Sequence, residues 1–88
     1  MTFIDLNDLN DPNTQNFLIS ATDLTENNLF ARGVARDSED SEVLADALTG
    51  WLYNHADAWL FAEDIDAAIA VIDAFWAANP IWDERYPT

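Results

Sequence analysis

Residues 38–57 form the most clearly amphipathic segment of this 88-residue sequence, and they constrain its fold more than any other stretch. On a helix that turns about 100° per residue, one sector collects the side chains suited to a core, namely Leu44, Ala47, Leu48, Trp51, Leu52, His55 and Trp59. The opposite sector collects the polar side chains Glu39, Glu42, Asp46, Tyr53 and Asp57. This pattern predicts a helix that buries one face and presents a row of carboxylates on the other.

The start and the middle of this predicted helix carry further signals. Either Ser38 or Ser41 can cap its start, and acids in its first turn suit the positive end of the helix dipole. Gly50 lies inside the segment, where a glycine costs about 1 kcal/mol relative to alanine. Because the apolar period continues to His55, we expect the helix to continue through Gly50.

The first residues predict a contact with the core and then a helix. Phe3 and Ile4 are apolar among polar neighbours, so we expect them to pack on the core. Asp11 is a good helix cap and Pro12 suits a first helical position. A helix over about 12–21 is therefore expected.

Two interpretations fit the region that follows. Asp23 and Glu26 have the spacing of a capping box and Gly33 can end a helix, which predicts a second short helix over about 24–32. The alternative is a β-hairpin at about 16–36, because the β-branched and aromatic residues of that range also suit strands.

The last predicted helix begins at residue 63 or 64 and runs to Ala78, where Asn79 and Pro80 end it. One stripe of this helix is apolar and consists of Ile65, Ile69, Ile72 and Trp76, with Val71 and Phe75 beside it. Another face carries only small residues, Ala67, Ala70, Ala74 and Ala77. The whole chain, residues 1–88, is thus predicted to be one mainly α domain, a small bundle of three to four helices. An α+β fold containing the N-terminal hairpin is the alternative.

The charge balance limits the possible partners. Seventeen Asp and Glu against three Arg and no Lys give a formal net charge of −14. Such a chain repels nucleic acid and anionic membranes, because affinity for phosphates comes largely from Lys and Arg. The first residues have neither the basic region nor the apolar core of a signal peptide, and the apolar runs are too short to cross a bilayer. We therefore expect a cytoplasmic protein with no membrane partner.

Catalytic and metal-binding patterns are also missing from the sequence. His55 is the single histidine, and neither a nucleophile motif nor a glycine-rich phosphate loop is present. We therefore expect no enzyme activity, no metal site and no cofactor, and we expect His55 to pack against its neighbours.

Glu42 and Asp46 provide the strongest indication of function. Like charges four residues apart destabilise an isolated helix by about 0.2–0.5 kcal/mol, so folding alone gives no reason for them. They lie about 6 Å apart along the helix axis, a spacing comparable to that of charges on a nucleic-acid strand, about one per 3.4 Å. We predict a small acidic inhibitor or masking protein that mimics nucleic acid.

Its partner would be a basic nucleic-acid-binding protein or a nuclease complex. The settings that fit are anti-restriction, anti-CRISPR, nuclease inhibition and antitoxin action. The residues predicted to bind the partner are Glu39, Glu42, Asp46, Tyr53, Asp57, Trp82 and Tyr86. For Trp82 and Tyr86, packing on the protein's own body is the favoured interpretation, and contact with a partner is the alternative.

Two other functions remain open at this stage. The chain can be an adaptor or an oligomeric scaffold that uses its aromatic or alanine-rich face, in which case it forms a homo-oligomer. It can also be a small domain adapted to high salt, where a large net charge keeps a protein in solution.

Overall fold

The structure, a computed structural model, describes residues 4–88 and so leaves Phe3 outside the described residues. Five helices and no strand are present in that range. They are α1 (Pro12–Ala31), α2 (Glu39–Asn54), α3 (Ala56–Trp59), α4 (Ile65–Ala78) and α5 (Pro80–Arg85). The predicted mainly α class is confirmed, and none of the described helices is both long enough and apolar enough to span a membrane.

Helix α1 begins as the sequence predicts, because the Asp11 side chain accepts a hydrogen bond from the Asn13 backbone N–H at 2.9 Å. The predicted break before residue 24 is wrong, and so is the alternative hairpin at about 16–36. The buried residues Ala21, Thr25 and Leu29 recur at four-residue spacing across that point, so one continuous helix keeps all of them on the core side.

Gly33 ends α1 in a left-handed conformation, with φ at +79°. In that conformation the Gly33 and Val34 backbone N–H groups donate to the carbonyls of Phe30 and Leu29. The carbonyls at the end of the helix are thereby satisfied, and glycine adopts the required φ without steric cost.

Helix α2 supplies the centre of the core. Ser38 is its cap and accepts from the Ser41 backbone N–H at 3.1 Å. The helix continues through Gly50 as expected, and Leu44, Leu48 and Leu52 are fully buried along it. His55 ends α2, and α3 follows as a single short turn.

Helices α1 and α2 run in opposite directions. Phe17 packs edge-on against Tyr53 near one end of the pair, and the Thr25 and Thr49 hydroxyls meet at 3.5 Å farther along. Helix α4 packs against both of these helices. The Trp51 indole N–H donates to the Val71 carbonyl at 2.9 Å, and the Trp76 indole N–H donates to the Asn28 side chain at 2.8 Å.

The predicted apolar stripe of α4 is correct at Ile72 and Trp76 but wrong at its other two positions. Ile65 and Ile69 are exposed, and the residues that complete the buried face are Ala68 and Phe75. This rotation of the helix brings Phe75 edge-on to the rings of both Trp51 and Trp76. An aromatic ring has more apolar surface to bury than an isoleucine side chain, so the orientation that buries Phe75 is favoured.

Candidate partner-binding surface

The α2 acidic row consists of Glu39, Glu42 and Asp46 and occupies the outer side of α2. All three side chains are exposed. The Ser38 cap fixes where the helix begins, and the buried leucines on the opposite side fix its rotation, so these carboxylates face solvent. Within residues 4–88, none of the three forms an ion pair.

The arginines of the chain do not compensate this row. Arg32 pairs with Asp83 and Arg85 pairs with Asp40, so both of these arginines are engaged at helix α5. The remaining arginine, Arg36, is exposed in the loop between α1 and α2. The negative charge along the outer side of α2 is therefore left largely unbalanced.

Two predicted binding residues do not extend the exposed α2 acidic row. Tyr53 is half-buried, packs edge-on against Phe17 and donates a hydrogen bond to the Ile4 carbonyl at 3.1 Å. Asp57 is exposed but lies in α3, beyond the end of α2 at His55. The sequence pattern treats residues 38–57 as one uninterrupted helix, whereas α2 ends at His55 and Asp57 belongs to a separate short helix.

Trp82 and Tyr86 are half-buried and pack against the core, so the structure places them on the protein's own body. Their rings stack, with centroids 6.5 Å apart. The Tyr86 hydroxyl donates to the Asp40 carboxylate at 2.5 Å, and this hydrogen bond raises the pKa of Tyr86 above its ordinary value. Asp40 lies about 100° around α2 from Glu39, so this contact is on a different side of the helix from the row.

His55 is exposed and contacts Trp51. Its ring stacks on Trp51 with centroids 4.5 Å apart, and its Nδ1 lies 2.8 Å from the Trp51 carbonyl, to which it donates when protonated. Among the described residues, no group of three or more His, Asp or Glu side chains is arranged to hold a metal ion.

A cleft that the sequence analysis does not predict lies beside the row. The α1–α2 cleft has a volume of about 670 Å³ and is enclosed by the end of α1, the loop after it and the first turns of α2. Leu29 and Val34 are the buried apolar residues of its lining, while Phe30 is 85% exposed. The sequence feature that could have indicated this cleft is Phe30, three residues before Gly33. An aromatic residue at such a position is ordinarily expected in the core, so the sequence alone does not reveal the cleft.

The alanine face of α4 is thinly covered surface. Ala67 is half-buried, whereas Ala70, Ala74 and Ala77 are exposed. Comparison of the chain with models of known protein families, with curated proteins and with solved structures finds no match.

Proposed function

We propose that this protein is an acidic inhibitor or masking protein that presents the α2 acidic row to the basic site of a nucleic-acid-handling protein. It would occupy that site in place of a nucleic-acid strand. Anti-restriction, anti-CRISPR, nuclease inhibition and antitoxin action are the settings in which such a protein acts. Catalysis is not part of the proposal.

The observation that carries the proposal is the exposed α2 acidic row without an ion-pair partner among residues 4–88. Glu42 and Asp46 repel each other at i,i+4 spacing, at a cost of about 0.2–0.5 kcal/mol to an isolated helix. Glu42 suits the first turn of α2, where the helix dipole favours an anion, but its pairing with Asp46 does not stabilise the helix. A basic partner gains from it, because complementary charge raises the rate of association and sets the register of docking.

The row is also rigid enough to act as a template. Its three residues project from a helix whose opposite face is fixed by fully buried leucines. Glu39 and Asp46 are separated by seven residues, or about 10 Å of helix axis. A nucleic-acid strand carries a charge about every 3.4 Å, and a basic groove that binds such a strand has cations along its length. Such a groove therefore has cations within reach of all three carboxylates.

The experiment that tests this proposal is capture followed by competition with nucleic acid. The parent protein is immobilised and exposed to an extract of its host, and retained proteins are eluted with NaCl. The retained protein is then purified, and duplex DNA and RNA are tested as competitors for its binding. We expect a basic nucleic-acid-binding protein that salt elutes and that nucleic acid displaces.

Two variants make the test specific to the row. Glu42→Gln with Asp46→Asn removes two charges from the row, whereas Asp66→Asn with Asp73→Asn removes two exposed charges from α4. The first pair should retain less of the captured protein, and the second pair should behave like the parent. If both pairs of substitutions reduce retention of the captured protein equally, net charge alone drives the binding. If nucleic acid does not displace the captured protein, the proposal of nucleic-acid mimicry is refuted.

A further inference from the structure

We infer that the α1–α2 cleft receives the apolar side chains of a basic amphipathic helix of the partner protein, whose Lys or Arg residues pair with the acids around the cleft. The inference rests on the proposed function. It adds an apolar anchor, which a binding surface made only of carboxylates lacks.

The cleft has the size and the lining of a binding site. Its volume of about 670 Å³ falls within the range of clefts that hold ligands, about 300–1,000 Å³. Leu29 and Val34 lie deep in it, Ala45 contributes from α2, and Phe30 stands at its edge with 85% of its surface exposed. The folded chain leaves the Phe30 ring almost wholly exposed to water. A bound apolar group would cover this ring.

The charges around the cleft select a cationic occupant. Glu26 lies in the lining of the cleft, and Glu42 and Asp46 flank Ala45 on α2 at three residues and one residue. The lining itself holds one acid, Glu26, and one cation, Arg36, so the excess of negative charge comes from Glu42 and Asp46 next to the lining. An apolar centre within a charged rim is the arrangement typical of protein interfaces.

The surrounding secondary structure favours a helical occupant. The described chain has no strand, so a partner segment has no sheet edge to extend there. The cleft instead lies between the ends of two helices, where an amphipathic helix can insert side chains spaced one turn apart.

Two synthetic peptides of equal charge test the inference. One is rich in lysine and carries two leucines one helical turn apart, and in the other both leucines are alanine. At about 0.5 M NaCl, where charge attraction is strongly screened, the parent should bind the leucine peptide about tenfold more tightly. In the amide spectrum of the parent, the leucine peptide should shift Val34 and Ala45 more than the alanine peptide does.

Variants then locate this preference. Phe30→Ala should abolish the preference for leucine. Because the Phe30 side chain is exposed, we expect this variant to fold normally, and circular dichroism checks that it does. Ile65→Ala removes an apolar side chain of similar exposure, 66%, from α4 and should retain the preference. A leucine preference that survives Phe30→Ala, or that is absent from the parent, would overturn the inference.

The test separates this inference from the proposed function. Glu42→Gln with Asp46→Asn should weaken both peptides equally at about 0.1 M NaCl and leave the leucine preference intact. If the parent shows no leucine preference but this pair weakens both peptides, the cleft inference fails and the acidic row stands. If the parent instead sediments at about 0.5 M NaCl as a dimer that Phe30→Ala dissociates, the cleft joins two copies of the chain and the inference also fails.

Discussion

The Arg32 guanidinium lies over the Trp76 ring, with Cζ 4.2 Å from the ring centroid. The same guanidinium donates to the Asp83 carboxylate at 2.5 Å and to the Tyr86 carbonyl at 3.1 Å. The Arg32 side chain is only 9% exposed. One arginine therefore holds α5 and the C-terminal residues against the end of α1 and the core tryptophan.

Replacing Arg32 by Gln is expected to lower the free energy of unfolding by about 1.5–3 kcal/mol. Hydrogen bonds to charged groups contribute in that range, and the largely buried side chain also loses its contact with Trp76. Urea unfolding followed by tryptophan fluorescence measures the loss. Arg36→Gln is the matched control, because it removes an equal charge from an exposed site and should change stability by less than about 0.5 kcal/mol. Equal effects of the two substitutions would contradict the role assigned to Arg32.

The hydrogen bond between Tyr86 and Asp40 predicts a decline of stability at alkaline pH. It raises the pKa of the Tyr86 hydroxyl above the ordinary value of 10.0. The folded state therefore holds this proton at a pH where the unfolded state releases it. The stabilisation is complete below about pH 10 and is lost as the pH rises through the folded-state pKa.

Urea unfolding between about pH 9 and pH 11.5 tests this expectation. The parent should lose stability across the upper part of that range, and Tyr86→Phe should lose less, because the phenol that titrates is gone. An identical decline in the parent and in Tyr86→Phe would show that other groups cause it.

Gly50 is exposed on α2, and a Cβ added there meets no atom within 4 Å. Gly50→Ala is therefore expected to raise stability by about 0.5–1 kcal/mol, the cost of a glycine in the middle of a helix. Gly33→Ala should have the opposite sign and lose about 1–2 kcal/mol, because φ at +79° places a Cβ near the following carbonyl oxygen. A gain for both substitutions would contradict the conformation assigned to the end of α1.

The formal net charge of −14 predicts a stability that increases with salt. Raising NaCl from about 0.01 M to about 0.5 M shortens the Debye length from about 30 Å to a few ångströms and screens repulsion among the acids. We expect the melting temperature to rise by several degrees, as measured by circular dichroism. A flat or falling trend would mean that the fold already compensates its charges.

Helix starts and the central core could be predicted from sequence, because their causes are local. Asp11 and Ser38 cap the next few residues of the chain, and the leucines of α2 repeat at a spacing that buries one face. The exposure of Glu39, Glu42 and Asp46 follows from the same repeat.

The failures have tertiary causes. Asp23 and Glu26 have the spacing of a capping box, but both are also tolerated on the exposed side of a helix. The buried residues around them favour one continuous α1. On α4 two overlapping apolar stripes fit the period equally well, and contacts with Trp51 select the one containing Phe75.

The candidate site was predicted only in part for the same reason. A helical wheel places Asp57 in line with the row only if the helix is uninterrupted, and α2 ends before His55. The α1–α2 cleft is formed by three separate segments, so its existence depends on how they meet rather than on any local pattern.

One measurement tests the central claim most directly. It is the affinity of the captured partner for the double variant Glu42→Gln with Asp46→Asn, measured by titration across a range of NaCl concentrations. The substitutions relieve repulsion within α2, so stability should stay level or rise. Affinity at about 0.1 M NaCl should fall about 2- to 30-fold, the effect of losing two exposed charge pairs. Its dependence on salt should also become shallower, while Asp66→Asn with Asp73→Asn should resemble the parent. The contradicting result is a double variant that binds as tightly as the parent while substitution of Trp82 or Tyr86 abolishes the complex.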